Sequence, residues 1–198
     1  MRLLVGVAEV AGILRCQRLL LSVAFLSLGY CGFVMMGSWT FQRGELREFN
    51  RIVSVGPPVP LRASGPPAAD ALIGRIEVGR IGLSAMVVEG TTTVALRHAA
   101  GHIELTGMPG VPGNVGIAAH RDTFFRPLRN IRKNDIIKLT TVTAEYSYRV
   151  VSTKVVDPGD ISVLDPSEYE ILTLVTCYPF YFVGSAPERF IVRAERII

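Results

Sequence analysis

Between Arg18 and Arg43 the chain runs for 24 residues without a charged side chain. No other feature constrains the fold as much, because at 1.5 Å per helical residue the core of this run, residues 19–39, spans the roughly 30 Å of a bilayer's hydrocarbon layer. A cleavable signal peptide would carry a shorter apolar region, about 7–15 residues, ending on small residues. Met35-Met36-Gly37-Ser38-Trp39 makes a poor cleavage site, and Leu28-Gly29-Tyr30-Cys31 does not suit lipidation because Tyr30 is bulky where a small residue is needed. The run is therefore expected to be an uncleaved transmembrane anchor. Arg2, Arg15 and Arg18 precede it and Arg43, Arg47 and Arg51 follow, so charge counting is close to a tie. The α-amino group favours residues 1–18 on the cytoplasmic side, with Trp39 and Phe41 as anchors at the outer interface.

The 198 residues leave room for one well-cored domain beyond this anchor. With 49% hydrophobic and 19% charged residues the chain is not intrinsically disordered. The net charge of +4 arises half from the N-terminal arginines, and from Arg43 onward 18 basic residues face 16 acidic ones. That mixed surface does not predict nucleic-acid binding. Of the three cysteines, Cys16 and Cys31 fall in or beside the apolar segment, so Cys177 has no intradomain disulfide partner.

Five of the twelve prolines fall within eleven residues, in Gly56-Pro57-Pro58-Val59-Pro60 and Gly65-Pro66-Pro67. Few backbone donors and extended conformations make residues 40–69 a semi-rigid Pro-rich stalk by expectation. From Asp70 onward the segments are short and β-rich. Strands are expected at 72–78, 82–88, 115–120, 135–141, 146–156, 169–176 and 189–197. One short helix is expected at 91–98 with a threonine N-cap, and another at 124–131. About eight strands with one or two short helices predict a mainly β fold, a closed antiparallel β-barrel over residues 70–198.

Cys177 ends the apolar run Ile171-Leu172-Thr173-Leu174-Val175-Thr176, and Pro179 follows two residues on. A lone free cysteine is commonly a small buried hydrophobe, whereas one at a strand end projects from a barrel rim. As a nucleophile it needs a base or a cationic neighbour, since an ordinary thiol is only slightly ionised at neutral pH. His98 and His102 have metal-pair spacing, but Gly101 interrupts a helix there and no third ligand is near, so no metal site is expected. His120 also ends a strand, Val115-Gly116-Ile117-Ala118-Ala119, which allows it to share a rim with Cys177. Arg189 opens the last strand; it is either a surface partner of Glu188 or a fixed donor for developing oxygen charge.

Taken together, Asn114-Val115-Gly116-Ile117-Ala118-Ala119-His120-Arg121, Thr173-Leu174-Val175-Thr176-Cys177 and Arg189-Phe190-Ile191-Val192 closely resemble the sortase signature. Thr176-Cys177-Tyr178-Pro179-Phe180 looks most like the class D members. The resemblance covers about residues 70–198, and the anchor and stalk match the family's layout. It implies a cysteine transpeptidase in which Cys177 attacks the threonine carbonyl of an LPxTG-like sorting signal, His120 acts as acid and base, and Arg189 positions substrate and stabilises the oxyanion. Thr176, Ala118, Val163 and Leu164 would contact substrate, the last two from the loop 157–168. The implied partners are surface proteins bearing a C-terminal LPxTG-like motif and an amine acceptor in peptidoglycan or a pilin subunit, with the catalytic domain extracytoplasmic. No cofactor is implied, and the sequence carries no signal for or against calcium.

Two rival readings stand beside this one. A papain-like cysteine protease would use water as acceptor, but would want an Asn or Asp to orient the histidine and more helix around the cysteine. A membrane-tethered β-barrel binding module would keep Cys177 merely as core.

Overall fold

The computed structural model describes residues 2–55, 68–182 and 184–197. The Pro-rich run 56–67 lies outside them. The chain divides into two compact units, residues 1–40 and 41–198.

The first unit is helical. Helix α1, Arg2–Val55, begins in it and continues into the second unit. Its Arg15–Phe33 stretch is long and apolar enough to cross a membrane, and none of that stretch is buried. The helix runs on beyond the expected anchor because no proline interrupts residues 40–55, and Gly56-Pro57 is the first strong stop. The N-terminal half of the expected stalk is thus helix.

Phe41 and Gln42 already belong to the second unit. Phe41 packs on Val88, Ala95 and Ala99, with its ring 5.6 Å from that of His98. Gln42 donates to the His98 carbonyl at 2.6 Å and accepts from the Met86 N–H at 3.0 Å. Phe41 is therefore a packing residue of the barrel unit.

Eight strands make a closed barrel in the order β1-β2-β3-β4-β7-β8-β6-β5. They are β1 Leu72–Val78, β2 Leu83–Glu89, β3 Ala100–His102, β4 Gly113–Ala118, β5 Ile136–Thr141, β6 Glu145–Val156, β7 Glu170–Tyr178 and β8 Glu188–Ile197. Helix α2, Thr93–His98, is capped by the Thr92 hydroxyl, which accepts from the Ala95 N–H at 3.1 Å. The expected helix at 124–131 is a tighter 3₁₀ turn, Arg126–Asn130, with Pro127 in its first turn.

Closure and strand number match expectation, but the barrel is mixed. Six of its seams are antiparallel, while β2–β3 and β4–β7 are parallel. A parallel pair needs a crossover. Here α2 supplies the first, and the chain from β5 through β6 supplies the second.

Strand alternation sorts the side chains. Val115 and Ile117 on β4, Leu172 and Leu174 on β7, and Val192 and Ala194 on β8 join one buried core inside the barrel. Residues one position away on the same three strands face outward, and those carry the site.

Candidate active site

β7 lies between β4 and β8, and the register of both seams decides what meets at its end. Cys177 is paired directly with Arg189 of β8. On the other side the parallel register sets Ala118 opposite Val175. β4 ends at Ala118, and His120 follows two residues on, past Ala119, whose N–H donates to the Val175 carbonyl at 3.2 Å. Residues in register on adjacent strands share a face, so Cys177 and Arg189 are neighbours on the outside of the barrel. His120, Cys177 and Arg189 are half-buried, and Cys177 is a free thiol.

Ala118, Val175 and Ile191 make the next row of the same face, and Gly116, Thr173 and Arg193 the row after it. Thr173, Ile191 and Arg193 from these rows form the floor of a groove. Its wall is the 3₁₀ turn Ile161–Leu164, begun by Asp160, whose carboxylate accepts from the Ser162 N–H at 3.2 Å. Ser162 also donates its hydroxyl to Asp160, and these bonds hold that carboxyl below its ordinary range.

Asn114 fixes this wall to the floor. Its buried amide donates to the carbonyls of Val163 at 3.0 Å and Asp165 at 3.1 Å, and its oxygen accepts from the Thr173 hydroxyl at 2.7 Å. Gly116 lets the wall close: a Cβ there would stand 3.1 Å from both the Leu164 and the Thr106 side chains. Val163 is buried against the floor, while Leu164 and Ala118 are half-buried.

Thr176 is placed differently from Cys177. It is 2% exposed, and its hydroxyl donates to the Ala119 carbonyl at 2.7 Å. Together with the Ala119 N–H on the Val175 carbonyl at 3.2 Å, it holds the strand end that carries His120. Buried on the inward side of β7, this hydroxyl does not share the outer face that carries Cys177.

Arg189 donates through one guanidinium nitrogen to the Glu188 carbonyl at 3.0 Å and more weakly to that of Ala186. It forms no ion pair with Glu188. Arg121, next to His120, clamps the loop that follows Cys177 by donating to the carbonyls of Pro179 at 2.9 Å, Phe182 at 2.8 Å and Gly184 at 3.0 Å. Arg121 and Asn114 are positioning groups that the sequence motifs alone do not reveal. The available signal was a polar amide beginning an otherwise apolar strand.

The other two histidines do not converge. His98 lies against Phe41. His102 is 2% exposed, with Nδ1 2.8 Å from the Glu89 carboxylate and Nε2 2.9 Å from the Gly107 carbonyl. Among the described residues no group of three or more His, Cys, Asp or Glu could hold a metal ion.

Residues 76–197 match the sortase domain model. The chain belongs to the sortase family. It is 36% identical over 137 residues to Sortase D of Bacillus subtilis (strain 168), an alignment covering 69% of each chain. The structure of a Clostridium perfringens Sortase D5 transpeptidase superposes with a TM-score of 0.71 at 29% identity, covering 80% of this chain and 99% of that one. Listeria monocytogenes sortase A superposes with a TM-score of 0.60 at 29% identity, covering 65% and 89% of the two chains.

This sortase is accordingly a cysteine transpeptidase built on a mixed eight-stranded barrel. The family acts on LPxTG-type surface proteins and amine acceptors without a cofactor. Membership displaces both the protease and the binding-module readings.

Proposed function

We propose that Cys177, His120 and Arg189 carry the reaction of this sortase, and that its substrate is a surface protein ending in an LPxTG-like signal. The Cys177 thiolate adds to the threonine carbonyl, forming a C–S bond. The threonine–glycine C–N bond breaks as the His120 imidazolium protonates the departing amine. Arg189 faces the carbonyl oxygen as its charge develops. In the second half an amine of peptidoglycan or a pilin attacks the thioester, gives its proton to His120 and releases the thiolate.

The observation that carries this reading is the register pairing of Cys177 with Arg189, with His120 following two residues after Ala118, the register partner of Val175. The groove supports the same division of labour. Its walled side would hold the acyl half through both steps, while the open rim would release one amine and admit another. Val163, Leu164 and Ala118 would contact the apolar part of the signal. Thr176 would act by holding the His120 strand.

The Arg15–Phe33 span supports a single-pass anchor, with residues 1–18 cytoplasmic and the catalytic barrel outside. Full-length protein in detergent micelles, given an LPxTG-like peptide and a small primary amine, is expected to yield the amide. Hydroxylamine is expected to trap the acyl group as a hydroxamate. Release of free acid alone, unaffected by amine across several peptides, would refute the transpeptidase assignment.

A further inference from the structure

Arg193 lies on the same face of β8 as Arg189, four residues further into the groove, a distance of roughly 13 Å at about 3.3 Å per residue. Its register partners are Thr173 on β7 and Ser152 on β6. With Val163, Ile191 and Lys154 these residues line a cavity of about 180 Å³. Arg193 is half-buried, yet no hydrogen bond or ion pair to another described residue engages its guanidinium. Its neighbours contrast with it. Arg121 is bound to three carbonyls, Arg80 to Asp135, and Arg196 to Glu170 and to the Ser147 carbonyl at 3.1 Å.

A guanidinium partly withdrawn from water with all five donors unassigned has lost hydration without gaining acceptors. Lys154 adds a second positive charge at the cavity, held only loosely by Asp160 at 3.9 Å. Glu195 lies two residues on along the same face, but it is exposed and forms no ion pair with Arg193. The cavity therefore presents positive charge to whatever occupies the groove.

Resting on the assignment of Cys177 as the acylated residue, we propose that this sortase selects an acidic residue immediately N-terminal to the leucine of its LPxTG-like sorting signal, with Arg193 as the specificity-determining side chain. With the scissile carbonyl at Cys177 and the acyl half lying along the walled groove, an extended peptide reaches Arg193 at its fourth or fifth residue from the cleaved bond. Ile191 and Val163 suit the apolar fourth residue. The fifth meets the guanidinium, whose fork matches a carboxylate.

The test uses full-length protein in detergent micelles and peptides that differ only in Glu, Gln or Lys before the LPxTG-like motif. Two readouts are taken: kcat/KM for amide formation, and Kd by fluorescence anisotropy on Cys177→Ala protein. The Glu peptide is expected to exceed the Lys peptide by roughly tenfold or more in both, the worth of one charge-assisted pair at a half-buried site. Arg193→Gln is expected to bring the ratio within about twofold, and Arg193→Glu to invert it. Equal values for the Glu and Lys peptides, or a preference that survives Arg193→Gln, would overturn the proposal. Failure of every peptide to react would count against the catalytic assignment, while the anisotropy ratio would still report on Arg193.

Discussion

The Thr176 hydroxyl donates to the Ala119 carbonyl across 2.7 Å, in the positions immediately before Cys177 and His120 on neighbouring parallel strands. One buried bond thus sets the separation of the two strand ends that carry the thiol and the imidazole. Thr176→Val keeps the volume and removes the donor. It should lower stability by about 1–2 kcal/mol, the cost of an unmet buried acceptor, and should lower kcat more than it raises KM. Thr176→Ser should recover most of the rate. Unchanged kcat in Thr176→Val, with stability read by thermal unfolding, would show that the bond does not position His120.

Arg189 and Cys177 are register partners, so their effects on acyl transfer should be severe and independent of folding. Cys177→Ala should abolish amide formation with an unfolding midpoint close to wild type. Arg189→Lys should lose about 10²-fold or more in kcat/KM, because a point charge does not reproduce a planar donor fork. Turnover by Arg189→Lys within threefold of wild type would reduce this residue to a surface charge.

Glu89 and His102 form a buried polar pair between β2 and β3, with the imidazole also bonded to the Gly107 carbonyl. His102→Ala would strand a carboxylate that is 7% exposed. Thermal and urea unfolding should register a loss of about 3–5 kcal/mol, whereas the double variant Glu89→Gln, His102→Ala should lose less. A larger loss in the double variant would mean that the pair is not what holds this parallel seam.

Reading the sequence placed the strands well where apolar alternation was strong, as in Ile171-Leu172-Thr173-Leu174-Val175-Thr176. Cys177 and Arg189, which close and open apolar runs, lie one residue inside the ends of β7 and β8, while His120 lies two residues past the end of β4. The three-residue strand β3 is too short to show a period, and its loss concealed one parallel seam. Thr176 illustrates a second limit. Adjacency to Cys177 in sequence suggested a shared site, but alternation turns neighbouring strand residues to opposite faces, and Thr176 is buried. The role of Asn114 depends on Val163 and Asp165, about fifty positions away, and no local pattern could reveal it.

Asp135 contributes to the acid sensitivity of the barrel. The Arg80 guanidinium bonded to it holds its carboxyl below the ordinary carboxylate range against the opposing effect of burial, and the Arg132 N–H contributes at 2.7 Å. A folded-state pKa below the unfolded one adds stability above about pH 4, and this is lost as pH falls through the folded value. Asp135→Asn should therefore melt below wild type at pH 7, with the gap closing as pH drops beneath about 4. A gap independent of pH from 7 to 3 would assign the stabilisation to shape instead of charge.

The barrel unit begins at Phe41, well before its first strand. Phe41 covers the small apolar patch of Val88, Ala95 and Ala99, and Gln42 satisfies the His98 carbonyl and the Met86 N–H. A shortened chain starting at Asp70 keeps His120, Cys177 and Arg189 but exposes that patch and frees both backbone groups. It should still transfer the acyl group, with kcat within about threefold of full length, because the patch lies on β2 and α2 and not on β4, β7 or β8. Its melting temperature should fall roughly 4–8 °C below that of a chain starting at Phe41, on the scale of about 2 kcal/mol for a half-buried aromatic ring and two lost hydrogen bonds. Phe41→Ala in the longer chain should reproduce much of that drop. Equal melting of the two shortened chains would mean that the C-terminal part of α1 adds nothing to the stability of the barrel.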